Sequence, residues 1–385
     1  MDNMPNNTYN LELVKEQNRT MVIEILNSLG TTTRTELANI TGLTRATITN
    51  IINEFLEVNL IEEIGTIDGN VGRKRKLIKI NDDAFYAIGI EFGVNIIRTG
   101  IYNLSGKNIS FSEKEINSYA KPTDILENIY KVVDETISNF EFDTDKIKGI
   151  GVVMPGIVDS EKKVLESVHP FPLLKNYPLC KQIEKHYKIP VWLENDANGA
   201  VLGEKWFGHG KNYQNYVFVV GDAGIGAGII INGQLYRGAF NSAGEIGHTI
   251  FSKDFVQLES EGGLYKLTEK YKLPIEELLK LSKTDPEIHN TLCEINQAFA
   301  IGIVNLVNTL SPEAVIIGGR ILNGGYHLIR EIKRIVGEYT FANELPKILV
   351  ATKKESAILA GAASIAIEQI VSSPYQFLLK DTSSK

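Results

Sequence analysis

An α/β protein headed by a winged helix-turn-helix is the fold class the sequence predicts, and three observations predict it. Apolar residues recur at helical spacing up to Leu56, in runs separated by glycine. A short hairpin pattern with a cluster of cations follows directly. From Tyr86 onward, β-rich runs alternate with helical patterns and end in glycine-rich loops. The segment Ile80-Asn81-Asp82-Asp83 is the best boundary, giving one domain over residues 1–80 and another over 81–385. A chain of 385 residues is too long for a typical single core, so two or three domains are expected.

The elements follow in order. Leu11, Val14, Met21, Val22, Ile25, Leu26 and Leu29 form the stripe of a first helix, which Gly30 stops. Thr33-Arg34-Thr35-Glu36 is a capping-box pattern opening a second, short helix through about Ile40. Gly42 supplies the turn, and Thr44 caps a third helix with Ile48, Ile51, Ile52, Phe55 and Leu56 on its apolar side. Leu60–Ile67, a turn at Asp68-Gly69-Asn70 and Lys76–Ile80 read as a hairpin, a wing. Beyond it, Ala87–Ile90, Ile147–Val153, Val191–Leu193, Tyr216–Val220, Ile229–Ile231 and Ala314–Ile317 read as strands. Ile125–Phe140 and Asn296–Leu310 read as helices.

Composition removes several classes of function. An apolar fraction of 43% with 23% charged residues is that of a soluble globular protein. No apolar run approaches the ~20 residues of a membrane helix. The polar start Met1–Asn10 lacks a signal-peptide pattern, so a cytoplasmic location is expected. The isolated Cys180 and Cys293 exclude a cysteine-rich zinc site and disfavour a disulfide framework.

The net charge of −7 disfavours nucleic acid only as an average. Residues 1–80 hold nine Lys/Arg against ten Asp/Glu, yet residues 73–79 hold five cations and no acid. Local clustering sets the electrostatic footprint. On the third helix, Ala46, Asn50 and Asn53 lie opposite the apolar stripe, with Thr47 and Thr49 beside them and Arg45 in the first turn after Thr44. Asn pairs bidentately with adenine, a Thr methyl touches thymine, and Arg reaches phosphate or guanine. A plain three-helix packing unit would carry a similar polar face. The tip Gly72-Arg73-Lys74-Arg75 argues for DNA, because such a tip tracks the backbone and sends an Arg into a narrow A·T-rich minor groove.

Six motifs in order resemble the ROK family, and within it the repressors that join a winged helix-turn-helix to a ROK domain. They are Gly72-Arg73-Lys74, Gly89-Ile90-Glu91-Phe92-Gly93, Met154-Pro155-Gly156-Ile157-Val158-Asp159, Glu194-Asn195-Asp196-Ala197-Asn198, Gly224-Ile225-Gly226-Ala227-Gly228 and Gly244-Glu245-Ile246-Gly247-His248. The resemblance spans essentially the whole chain. It implies two ribonuclease-H-like lobes of the actin and hexokinase type, about 81–198 and 199–385, with a ligand cleft between them. It implies sugar contacts by Asn195, Asp196, Glu245 and His248, the aspartate being the general base in ROK kinases. Carboxylates accept from hydroxyls, while Asn and neutral His both donate and accept. An Asn-Asp pair after a strand is also a common way to cap the next helix.

The sequence departs from the ROK kinases at the groups that handle phosphate. Against their Gly-x-Asp-x-Gly-Gly-Thr-Lys loop it has Glu91 for the Asp, and Val94, Asn95 and Ile96 for the second Gly, the Thr and the Lys. Against Gly-Thr-Gly-x-Gly it has Asp222-Ala223-Gly224-Ile225-Gly226. Phosphoryl transfer depends on positioning and charge neutralisation, so no ATP and no catalytic residues are expected. The family's zinc cysteines are replaced by the stretch from Gln257 to Lys266, so no metal is expected. Lys266 aligns with a family sugar-binding Glu. Together these readings predict a homodimeric repressor of carbohydrate genes, binding an A·T-rich pseudo-palindrome of double-stranded DNA and controlled by a small sugar. Xylose metabolism is the expected setting. An active ATP-dependent sugar kinase with a DNA-binding module is the runner-up.

Overall fold

The computed structural model describes residues 11–67, 74–167, 171–325 and 327–378. The N-terminal helices form where the caps predict them. Helix α1 (Leu11–Leu29) leads through β1 (Thr32–Thr33) to α2 (Arg34–Thr41) and α3 (Arg45–Glu57). Thr33 caps α2 by accepting from Glu36 N, and Gly42 ends it with a left-handed φ of 71° that a side chain would strain. Glu36 does not close the box on Thr33; it accepts from the Thr32 hydroxyl at 2.7 Å. The α1 stripe is narrower than predicted. Val22, Ile23 and Leu26 are buried, whereas Val14, Met21 and Leu29 are exposed. Arg19 shares the buried arc and pairs with Glu54 at 2.8 Å, so a cation interrupts the apolar pattern.

Strands β2 (Ile61–Ile67) and β3 (Arg75–Ile80) pair antiparallel, and β1 adds to the far edge of β3. The predicted turn at residues 68–70, with Gly72 and Arg73, lies outside the described residues.

The rest of the chain builds two five-stranded sheets. The first takes β4 (Tyr86–Phe92), β5 (Ile96–Tyr102), β6 (Asn108–Glu115), β7 (Ile147–Met154) and, after the small ribbon of β8 (Ile157–Asp159) and β9 (Val164–Ser167), β10 (Val191–Asn195). The second takes β11 (Tyr216–Gly221), β12 (Ile225–Ile231), β13 (Gln234–Leu235), β14 (Ala314–Gly318) and β15 (Lys347–Val350). Their orders, β6-β5-β4-β7-β10 and β13-β12-β11-β14-β15, follow one plan: an antiparallel meander, then two parallel strands.

Helices α4 (Pro122–Ser138) and α5 (Leu179–Tyr187) belong to the first sheet, and α6 (Asp196–Phe207) starts where β10 ends. Between β13 and the end of the second sheet lie α7 (Leu258–Gly262), α8 (Tyr265–Tyr271), α9 (Ile275–Leu281), α10 (Pro286–Leu310) and α11 (His327–Tyr339). Helices α12 (Ala357–Ser372) and α13 (Pro374–Leu378) close the described chain. The predicted helix Asn296–Leu310 is the C-terminal part of α10, and Phe299, Ile303 and Val307 put it in the core.

Helix α12 lies on β4 and β7, α6 lies on β11 and β12, and the two helices cross. Glycine permits the crossing. A Cβ on Gly361 would stand 2.1 Å from Gly199 O, and one on Gly203 would stand 2.9 Å from Gly361 Cα. The N-terminal helices are tied into this seam, because Val22, Ile23 and Leu26 share one core with Trp206, Phe207, Leu359, Ala363 and Ile367. No helix among the described residues is long and apolar enough to cross a membrane.

Candidate functional site

Two constellations emerge, one at each end of this seam. The first is the outer face of α3 with the β2–β3 hairpin. Arg45, Ala46, Asn50 and Asn53 are exposed, Thr47 and Thr49 are half-buried, and Ile48, Ile51, Ile52 and Phe55 are buried opposite them. The threonine hydroxyls are already engaged. Thr44 Oγ1 accepts from Thr47 N at 3.1 Å and sits 2.9 Å from Thr47 Oγ1, and Thr49 Oγ1 donates to Arg45 O at 2.7 Å. The amides of Asn50 and Asn53 and the guanidinium of Arg45 therefore offer the polar contacts.

The predicted basic run is partly neutralised within the hairpin. Lys76 pairs with Glu63, and Lys79 with Glu62 at 2.9 Å. Lys74 and Arg75 are exposed and have no carboxylate partner among the described residues. They, not the whole run, carry the described positive charge of the tip.

The second constellation lies where β10 meets α6. Asn195 caps α6: its Oδ1 accepts from Ala197 N at 2.9 Å and Asn198 N at 3.1 Å, and its Nδ2 donates to Gly156 O at 3.0 Å. The capping alternative is thus fulfilled, and one amide hydrogen remains for a ligand. Asp196 begins the helix and accepts from Ala197 N at 2.8 Å. Burial pushes its carboxyl up to about 6, and the charges of Glu245 and Asp222 add to the effect. Glu245 is raised too, by burial first and by Glu259, against the opposing pull of His248. His248 stands 4.0 Å from Glu245 and 4.0 Å from Glu259, with Gln257 Oε1 at 3.4 Å from its Nδ1. Asp196 thus lies close enough to Glu245 to feel its charge, and Glu245 and Glu259 flank His248.

Several partners were not foreseen. Glu194 is buried and fully used: Oε1 accepts from Asn195 N and Asn198 Nδ2, each at 3.0 Å, and Oε2 accepts from Arg237 Nε at 2.9 Å and Nη2 at 2.6 Å. Arg237 thereby ties the loop leading to Glu245 onto the strand carrying Asn195. Glu259, not position 266, supplies the extra carboxylate beside His248; Lys266 is held by Glu261 at 2.7 Å and Glu294 at 3.6 Å. The negative charge that Asp222 adds to its glycine loop is paired. Arg320 Nε donates to Asp222 Oδ1 at 2.8 Å, and its Nη1 pairs with Glu276. The arginine after the Gly318-Gly319 pair was the only sequence signal for that link.

The residues present do not fit zinc. Among the described residues no group of three His, Cys, Asp or Glu is placed to hold a metal. A separate cavity of ≈ 990 Å³ lies beside Gly319 and Gly325, lined by Arg330, Lys333, Lys353 and Lys354.

Comparison with known proteins places this architecture. The model of the ROK family matches residues 87–369. The xylose repressor of Caldicellulosiruptor bescii is 26% identical over 95% of this chain and 99% of its own length. That of Bacillus subtilis is 27% identical over 93% and 97%. Among solved structures, a ROK family transcriptional regulator described as a homologue of E. coli Mlc superposes with a TM-score of 0.77 at 22% identity, over 93% of this chain and 97% of its own. A ROK glucokinase from Streptomyces griseus, in complex with glucose and AMPPNP, gives 0.65 at 21% identity over 74% of this chain and 99% of its own.

Proposed function

The chain belongs to the ROK family, and from that premise we propose that it is a sugar-responsive transcription repressor. The observation that carries the reading is that relatives named xylose repressor match 93–95% of this chain and 97–99% of their own length. Residues 1–80 form the DNA-reading module, a winged helix-turn-helix. Residues 81–385 form the effector unit, two ribonuclease-H-like lobes at about 81–198 and 199–385. Thr44, Arg45, Ala46, Thr47, Thr49, Asn50 and Asn53 face the major groove, and the tip from Gly72 to Arg75 follows the backbone and minor groove. A homodimer reads the two halves of an A·T-rich pseudo-palindrome. As a DNA reader it acts in the cytoplasm.

Asn195, Asp196, Glu245 and His248 hold the sugar, with Glu259 and Arg237 orienting His248 and the Glu245 loop. A bound sugar shifts the repressor only by favouring one of two arrangements of the molecule. Xylose release of DNA is the expected sense. Gel-shift titration with pentoses and hexoses tests this, and operator affinity unmoved by every sugar would refute the effector half.

One observation favours the kinase reading: Asp196, with its raised carboxyl, sits where a ROK kinase places its general base. Against it, Ala223 lacks a hydroxyl, Val94 replaces a glycine, and Arg320 occupies Asp222. No nucleotide and no catalytic role are proposed. Sugar-dependent ATP turnover abolished by Asp196→Asn would reverse this choice.

A further inference from the structure

Helix α6 begins at the candidate sugar site and ends against the N-terminal module. Asp196 is its first residue, and Lys205 lies near its other end, about 13 Å further along at ~1.5 Å per residue. Three elements meet at Lys205. Its ammonium is 2.7 Å from Glu24 Oε1 on α1 and 3.0 Å from Glu368 Oε1 on α12. The side chain is only 18% exposed. Beside it Asn27 Nδ2 donates to Trp206 O at 2.7 Å, and Lys211 Nζ donates to Asn27 Oδ1 at 3.0 Å.

A movement of α6 bears on this junction. Where α6 crosses α12, the backbones of Gly199, Gly203 and Gly361 touch with no side chain between them. Such a contact slides more readily than interlocked side chains. The shear then reaches Lys205, a cation that both α1 and α12 share, and the Asn27–Trp206 bond beside it. Two carboxylates and one ammonium leave an excess negative charge at the junction. Whichever carboxylate loses the ammonium must be rehydrated. Glu24 is 34% exposed and Glu368 25%, so Glu24 is the partner more easily released.

We infer that Lys205 transmits occupancy of the Asn195–Asp196 site to α1, and so to the DNA-reading helices, by loosening its bond to Glu24 while keeping Glu368. The inference rests on the sugar-responsive reading and names how that site regulates. It makes Lys205 a positioning residue for the regulated DNA module.

Hydrogen exchange of α1 amides in the full chain, with and without D-xylose, tests it alongside calorimetry of xylose binding. In the wild type, bound xylose changes α1 exchange about tenfold. Glu24→Gln keeps the xylose affinity within about twofold and loses most of that response, while Lys205→Arg retains it. A merely structural contact would raise α1 exchange equally with and without sugar. A full response in Glu24→Gln, or none in the wild type despite measured binding, overturns the coupling. If calorimetry detects no xylose binding, the xylose assignment fails separately, and Asp196→Asn becomes the perturbation. Altered α1 exchange in Asp196→Asn, cancelled by adding Glu24→Gln, then supports the coupling, and unaltered or uncancelled exchange overturns it.

Discussion

Glu91 shows two forces competing for one carboxyl. Arg98 Nη1 donates to Oε1 at 2.9 Å, but the side chain is buried and Oε2 has no hydrogen-bond partner among the described residues. Burial outweighs the arginine and pushes the carboxyl from its ordinary 4.5 up to about 7. A group with a raised folded pKa binds more protons when folded, so stability falls as pH climbs from 4.5 to about 7. Glu91→Gln removes that loss: its melting temperature relative to wild type improves between pH 5 and pH 8, about the window set by this titration. Parallel profiles would contradict the burial argument. At Asp196 the proposed sugar site reverses the sign, because a sugar hydroxyl would donate to the ionised carboxylate. Xylose binding weakens as pH drops through about 6, by up to about tenfold per unit. Calorimetry of Asp196→Asn should give a flat profile and affinity lower by roughly 10- to 100-fold, the worth of a charged hydrogen bond. On the β2–β3 hairpin, Arg75→Ala should weaken operator binding and shallow its log–log salt slope by about 0.9, whereas Lys76→Ala, already paired with Glu63, changes it less. Equal effects would mean the pairing gives way on DNA. The four sugar-site candidates were legible because their motifs are contiguous. Arg320 was not, because its partners Asp222 and Glu276 lie far along the chain, and Glu259 was not, because it stands outside the contiguous motifs.

At the scale of elements, the N-terminal helices were readable from single residues: Thr33 and Thr44 as caps, Gly42 as the turn. Strands β5 and β6 escaped the apolar pattern because polar residues face inward. Ser110 donates to Thr136 O at 2.7 Å, and Thr99 bonds the Thr136 hydroxyl of α4. Helix α12 escaped because it is buried nearly all round, which erases the one-sided period of a surface helix. Its crossing with α6 gives the clearest test. Gly361→Ala puts a methyl into the Gly199 carbonyl and should cost about 1–3 kcal/mol in urea denaturation. Unchanged stability would mean that the helices are not in backbone contact.

For the molecule as a whole, the sequence boundary near residue 80 divides two textures but not two cores. Val22, Ile23 and Leu26 pack with Leu359, Ala363 and Ile367 from the far end of the chain. No local pattern announces that contact, since it joins residues more than 300 positions apart. It makes the N-terminal helices and the helix that starts at Asp196 parts of one packed body, which is what a ligand-controlled repressor requires. The decisive measurement is fluorescence anisotropy of labelled operator DNA, selected by the protein itself, titrated at fixed salt with and without D-xylose. Xylose should weaken binding about tenfold or more, and Asp196→Asn, though still binding DNA, should lose the response. Operator affinity indifferent to xylose and to the rest of a sugar panel would contradict it.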